Sequence, residues 1–267
     1  MLAQQTMDTK NLIPIYSGKL AVYYQQSDEI QKYIDLAERL SIPLYQSINK
    51  NTSENFFLTW RDGSLKLLDK ELLKKGGLSV DVEPRHGEQR SWPAPKNGAL
   101  AQALGRKTKT IIDATTGWGQ DSLHIFRMGY HLRCIERSPI MIELLNDGFK
   151  RLSKLDWVTS LSLTPPDLIY GNASEILLNL NQKPEVIYID PMFPPKRKKS
   201  ALAKKSMTVL RGLLGNDEDK EQLFFSAFET ATKRVVVKTP GYAEPLAGKP
   251  SESFSGKLLR FDVYLKG

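Results

Sequence analysis

One cysteine, Cys134, occurs in 267 residues, which excludes an intramolecular disulfide framework and a cysteine-based structural zinc site and fits a reducing compartment. It lies inside an apolar run, where a buried, inert thiol is expected. No stretch approaches the roughly 18 consecutive apolar residues of a membrane span. The opening MLAQQTMDTK has no apolar leader core, so the cytoplasm is the expected location. The three histidines, His86, His124 and His131, share no metal-ligand spacing, and no metal is expected. A G-x-S-x-G elbow for Ser-His-Asp catalysis is missing, as is any internal repeat with a period of roughly 20–50 residues.

What is present is ordinary globular composition, with 40% hydrophobic and 25% charged residues, enough for a real core in one large domain with a small appendage. Lysine and arginine number 38 against 30 acids, a net charge of +8. The excess is concentrated after Pro195, where Lys196, Arg197, Lys198, Lys199, Lys204 and Lys205 occur with no acid among them. Such a run is either a solvated loop or a contact for a polyanion, whose condensed counterions it would release. Its position in the fold decides between them.

Residues 1–85 predict a small α/β domain: a strand in KLAVYYQ, a helix in SDEIQKYIDLAERL with Ile30, Ile34 and Ala37 on one face and Ser27 as its cap, and a short strand IPLYQS. A hairpin comes next in NFFLTWRDGSLKLLD, turning at Asp62-Gly63. From Glu83 to Asn97 the chain is rich in Pro, Gly and charge, with 86–97 as the connecting linker, and its Arg85, His86, Arg90 and Trp92 are either solvated or available to nucleic acid. From 98 to 267 strands alternate with helices, which predicts an α/β, doubly wound, mostly parallel, Rossmann-like sheet. Five parallel strands and one terminal strand are expected.

Three constellations carry chemistry. The first, IIDATTGWGQDS, runs from a buried strand ending at Asp113 into a turn with Gly117 and Gly119, before Gln120 and Asp121 open a helix. Glycines there admit a ligand close to the backbone, at the carboxyl end of a strand where doubly wound sheets bind ligands. A dinucleotide fingerprint would want a third glycine where Ser122 stands, which weakens a pyrophosphate reading. The second is Glu136-Arg137 at the end of the next strand, 23 residues after Asp113. A carboxylate there can accept both hydroxyls of a ribose, and any nucleoside-containing cofactor would satisfy it.

The third is Asp190-Pro191-Met192-Phe193, after the strand EVIYI. It resembles the D/N-P-P-F/Y motif of class I methyltransferases that modify exocyclic or amide nitrogens. A nucleobase amine is a poor nucleophile because its lone pair is delocalised into the ring. An acceptor such as Asp190, helped by a main-chain carbonyl, can hold its protons and localise that pair. Phe193 can stack on the base and Pro191 stiffens the loop.

Together DATTGWGQDS, IERSP, YIDPMFPPKRKKSALAKK and ATKRVVVKTPGYAEPL resemble the ribosomal RNA small subunit methyltransferase J family over residues 98–267. The resemblance implies S-adenosylmethionine (SAM) as cofactor, contacted around Gln120 and Asp121, Glu136 and Arg137, Ala173 and Ser174 beside Asn172, and Asp190. Position 120 holds Gln where the family usually has Arg, which moves a cofactor carboxylate contact to backbone groups. The resemblance also implies methylation of the exocyclic N2 amine of a guanine in 16S rRNA, free or in the 30S subunit, with the basic segment holding the flanking phosphates; the sequence does not fix the oligomeric state, and a monomer is the expected form. The rivals are a DNA adenine-amine methyltransferase and a noncatalytic RNA-binding assembly factor.

Overall fold

The computed structural model describes residues 19–25, 29–49, 52–69, 76–83, 92–191, 193, 219–256 and 258–267. These divide between two compact units that part between Ser79 and Val80.

In the first unit Leu20–Tyr23 (β1), Ile30–Leu40 (α1), Leu44–Tyr45 (β2), Phe56–Arg61 (β3) and Ser64–Asp69 (β4) give a four-stranded sheet in the order β2-β1-β3-β4. Asp62 and Gly63 both take positive φ, 52° and 71°, the pairing whose twist suits a two-residue hairpin. Arg61 accordingly pairs with Ser64. Helix α1 buries Tyr33, Leu36 and Ala37, so Ala37 of the expected face is buried while Ile30 is exposed. The reason is Tyr33, whose ring packs edge-on against Trp60 at 5.1 Å and sets the rotation of the helix. Glu29 occupies the N-cap position, and Ser27 lies outside the described residues.

The second unit begins with Val80 and Val82, both buried, whose carbonyls accept Arg151 and Arg127 guanidinium N–H groups at 2.7 Å each. Trp92, from the expected connector, packs on Phe126 and Trp157 with centroids 5.0 and 5.7 Å away. That aromatic cluster, rather than nucleic acid, accounts for its ring. Arg85, His86 and Arg90 lie outside the described residues.

Its further elements are Gly98–Leu104 (α2), Thr110–Asp113 (β5), Gln120–Arg127 (α3), His131–Glu136 (β6), Pro139–Leu152 (α4), Asp156–Ser160 (α5), Asp167–Tyr170 (β7), Ala173–Leu178 (α6), Val186–Ile189 (β8), Lys220–Thr230 (α7), Arg234–Pro240 (β9), Glu252–Ser255 (β10) and Leu259–Leu265 (β11). The sheet runs β10-β11-β9-β8-β5-β6-β7. Its five strands from β9 to β7 are parallel, and β11 runs antiparallel to both β9 and β10. Two strands thus close the chain where one was expected, because Glu252–Ser255 is a polar, mostly exposed edge without the apolar alternation that marks a half-buried strand.

Parallel strands covered on both faces read as unbroken apolar runs. Ile187 and Ile189 of β8 join Ile112, Ile135, Val235 and Val237 in the core against α6 and α7, and alternation sends Val186 and Tyr188 to the other face. The chain runs outward from β5 to β7 and then returns to β8 on the opposite side of β5. That reversal opens a crevice at the carboxyl ends of β5 and β8. No helix among the described residues is long and apolar enough to cross a membrane.

Candidate active site

The turn after β5 is held from beneath by its own strand. Asp113 is buried; one carboxylate oxygen accepts the Thr115 N–H at 3.0 Å and the other accepts the Ser122 hydroxyl. Ser122 therefore does a job that no glycine could, tying the first turn of α3 back to β5. Burial pushes the Asp113 carboxyl up to about 7, against the pull of those two bonds. Gly117 and Gly119 take φ of +53° and +69°. A Cβ at 119 would also stand 3.0 Å from Leu145 Cδ2. The turn closes with Gly119 N–H donating to the Thr116 carbonyl at 2.8 Å, and Gln120 opens α3 exposed at its start.

Glu136 ends β6 and is buried. One oxygen accepts the Gly117 N–H at 2.9 Å and the other the Ser138 N–H at 2.7 Å. Burial raises this carboxyl above the ordinary range, with both backbone bonds and Arg137 opposing. Each carboxylate oxygen carries two lone-pair sites, so the backbone bonds leave acceptor capacity for a ribose hydroxyl. Arg137 makes a two-pronged ion pair with Asp219 at 2.8 and 2.9 Å. After β7, Asn172 caps α6 by accepting the Ser174 N–H at 3.0 Å. Ala173 is buried, and the buried Ser174 Oγ has no hydrogen-bond partner among the described residues. An unsatisfied buried hydroxyl costs about 1–3 kcal/mol, which a polar cofactor atom would recover. The polar groups at the ends of β5, β6 and β7 thus fit a nucleoside-containing cofactor.

At the end of β8 the Asp190 N–H donates to Thr115 Oγ1 at 2.6 Å, stitching this loop to the glycine turn. The Asp190 carboxylate meets the Lys238 ammonium of β9 at 2.8 Å, and the same ammonium reaches Asp121 at 2.7 Å. Tyr188 donates its hydroxyl to the same Asp121 oxygen at 2.6 Å. Burial would raise the Asp121 carboxyl, but Lys238 and Tyr188 outweigh it and hold it below the usual value. Pro191 and Phe193 are buried, and the Lys220 ammonium lies 5.2 Å from the Phe193 ring centroid, so that face of the ring is occupied by a cation. Lys196, Arg197, Lys198, Lys199, Lys204 and Lys205 lie outside the described residues.

The fold thus joins Gly117 to Glu136 directly, and Asp121 to Asp190 through Lys238. Lys238, Tyr188, Thr115 and Ser122 went unassigned in the sequence. Only Lys238 left a signal, as a lysine closing the apolar run VVV. Among the described residues no three His, Cys, Asp or Glu side chains gather as a metal would require.

Residues 40–266 match the family described as "Putative SAM-dependent methyltransferase". The ribosomal RNA small subunit methyltransferase J of Shewanella amazonensis is 38% identical over 82% of this chain and 90% of its own length. The protein of that name from Coxiella burnetii is 36% identical over 92% and 96%. A crystal structure of a SAM-dependent methyltransferase from Neisseria gonorrhoeae superposes with a TM-score of 0.65 at 25% identity, over 92% of this chain and 96% of that one. With the seven-strand order, the glycine turn and the acid at each neighbouring strand end already in place, the chain belongs to the ribosomal RNA small subunit methyltransferase J family of SAM-dependent methyltransferases.

Proposed function

We propose that this protein transfers a methyl group from SAM to the exocyclic N2 amine of a guanine in 16S rRNA. The observation that carries the reading is the placement of Asp190, an acceptor fixed at the end of β8 by a backbone bond to Thr115 and a side-chain bond to Lys238, beside the turn that Glu136 supports. Glu136 would hold the ribose of the cofactor, with the Gly117–Gly119 turn and the Asn172–Ser174 segment completing the site. When bound, SAM supplies a methyl group activated by a positively charged sulfur, which keeps the electron pair of the broken C–S bond.

Asp190 supplies the other half. Its carboxylate accepts an N–H of the amine, turning the nitrogen lone pair away from the ring, and it takes the proton that the amine sheds as the N–C bond forms, passing it on to water. Positioning of this kind, rather than a strong base, accounts for much of the rate. The guanine has to leave its stack to reach the crevice. The basic run after Phe193 is suited to the flanking phosphates. A monomer acting on 30S particles in the cytoplasm, where subunits are assembled, is the form this chemistry fits.

Mass-spectrometric mapping of methylguanine in 16S rRNA from a deletion strain, with and without complementation, tests the reading. One guanine should lose its N2 methyl group and regain it with the wild-type gene but not with Asp190→Ala. Transfer to adenine in duplex DNA, with rRNA unchanged, would replace it.

A further inference from the structure

Lys238 sits on β9, two strands from the glycine turn, and methyl transfer at Asp190 gives it no direct part. Val235, Val236 and Val237 before it are fully buried, so a lysine closing that run is under pressure to shed its charge. It keeps the charge instead: burial works against it, but Asp190 and Asp121 outweigh that and raise it above the ordinary lysine value. Its ammonium lies 2.7 Å from Asp121 and 2.8 Å from Asp190, each through Oδ2, so one cation holds two acids that would otherwise face each other.

We infer that Lys238 is a positioning residue for methyl transfer: its ammonium fixes the orientation of Asp190 and keeps it an acceptor-only carboxylate despite the neighbouring charge of Asp121. This rests on Asp190 being the acceptor for the target amine. A protonated Asp190 would present a hydroxyl donor to an amine that needs an acceptor.

Among the described residues the groups facing this cluster include Asp113 from β5, Asp121 and His124 from α3, and Tyr188 from β8. Without the ammonium, Asp190 would stand beside Asp121, and like charges favour the protonated acid. Asp190 would then take up its proton at higher pH. Tyr188 would still hold Asp121 in place through its own hydrogen bond.

The test compares Lys238→Met, Lys238→Arg and Asp190→Ala in the full chain, using 30S particles as methyl acceptor across pH 5.5 to 9. Lys238→Met should lower kcat about 100-fold while leaving S-adenosylhomocysteine affinity within about threefold by calorimetry. The acid limb of its kcat profile should move to higher pH. Lys238→Arg, which keeps the charge, should recover activity to within about tenfold of wild type with the acid limb unmoved. Wild-type kcat and an unmoved limb in Lys238→Met, with transfer still lost in Asp190→Ala, would overturn the role of Lys238 alone. Undiminished transfer in Asp190→Ala would overturn the function together with it. Should Lys238→Met fail to fold, Lys238→Arg carries the test, and an acid limb displaced upward in that variant overturns the inference.

Discussion

The Glu136 carboxylate accepts the Gly117 N–H at 2.9 Å, so the acid proposed to hold the ribose also supports the glycine turn. Glu136→Ala should therefore weaken SAM and S-adenosylhomocysteine equally, since ribose and turn are common to both. Two charge-assisted bonds to the ribose are at stake, each about 1.5–3 kcal/mol. Calorimetry with both ligands checks this, and an unchanged affinity for either removes Glu136 from the site.

Asp113 gives a pH signature. Burial raises its carboxyl from 3.8 to about 7 in the folded chain, so its contribution to stability is complete below about pH 4 and is lost as pH rises through 7. The linked free energy is ~4 kcal/mol. Asp113→Asn does not titrate, so its melting temperature should gain on wild type between pH 5 and 7.5 and then run parallel. A gap independent of pH counts against a carboxyl that is neutral when folded.

The two turn glycines should differ in cost. Alanine at 117 meets only the strain of positive φ, about 1–2 kcal/mol, because nothing lies closer to its Cβ than 3.9 Å. Alanine at 119 adds the 3.0 Å approach to Leu145 and should be the less stable of the two by thermal melting. Equal melting temperatures would show that Leu145 simply moves aside.

Replacing Lys196, Arg197, Lys198 and Lys199 by alanine should weaken binding to a 16S rRNA fragment and flatten its salt dependence. Each lost phosphate contact removes about 0.7–0.9 from the log-log slope, with cofactor affinity unchanged. Titration at several salt concentrations decides, and an unaltered slope returns the run to a solvated loop.

The parallel strands were legible because burial on both faces leaves them as apolar runs, and the turn because Gly117 and Gly119 stand out against them. Asp190 was singled out as a candidate by its proline neighbours. Lys238 was not assignable, since its two partners arrive from α3 and β8, 117 and 48 residues away, and no local spacing records such a meeting. Ser122 looked like a missing glycine until its bond to Asp113 gave it a purpose of its own. The rotation of α1 depended on an aromatic contact with β3 that periodicity cannot register.

The bond from the Asp190 N–H to Thr115 ties the end of β8 to adjacent β5, so the backbone of the proposed acceptor is set by paired strands. Any drift of that backbone requires β5 and β8 to slip against each other, which their hydrogen-bonded pairing opposes.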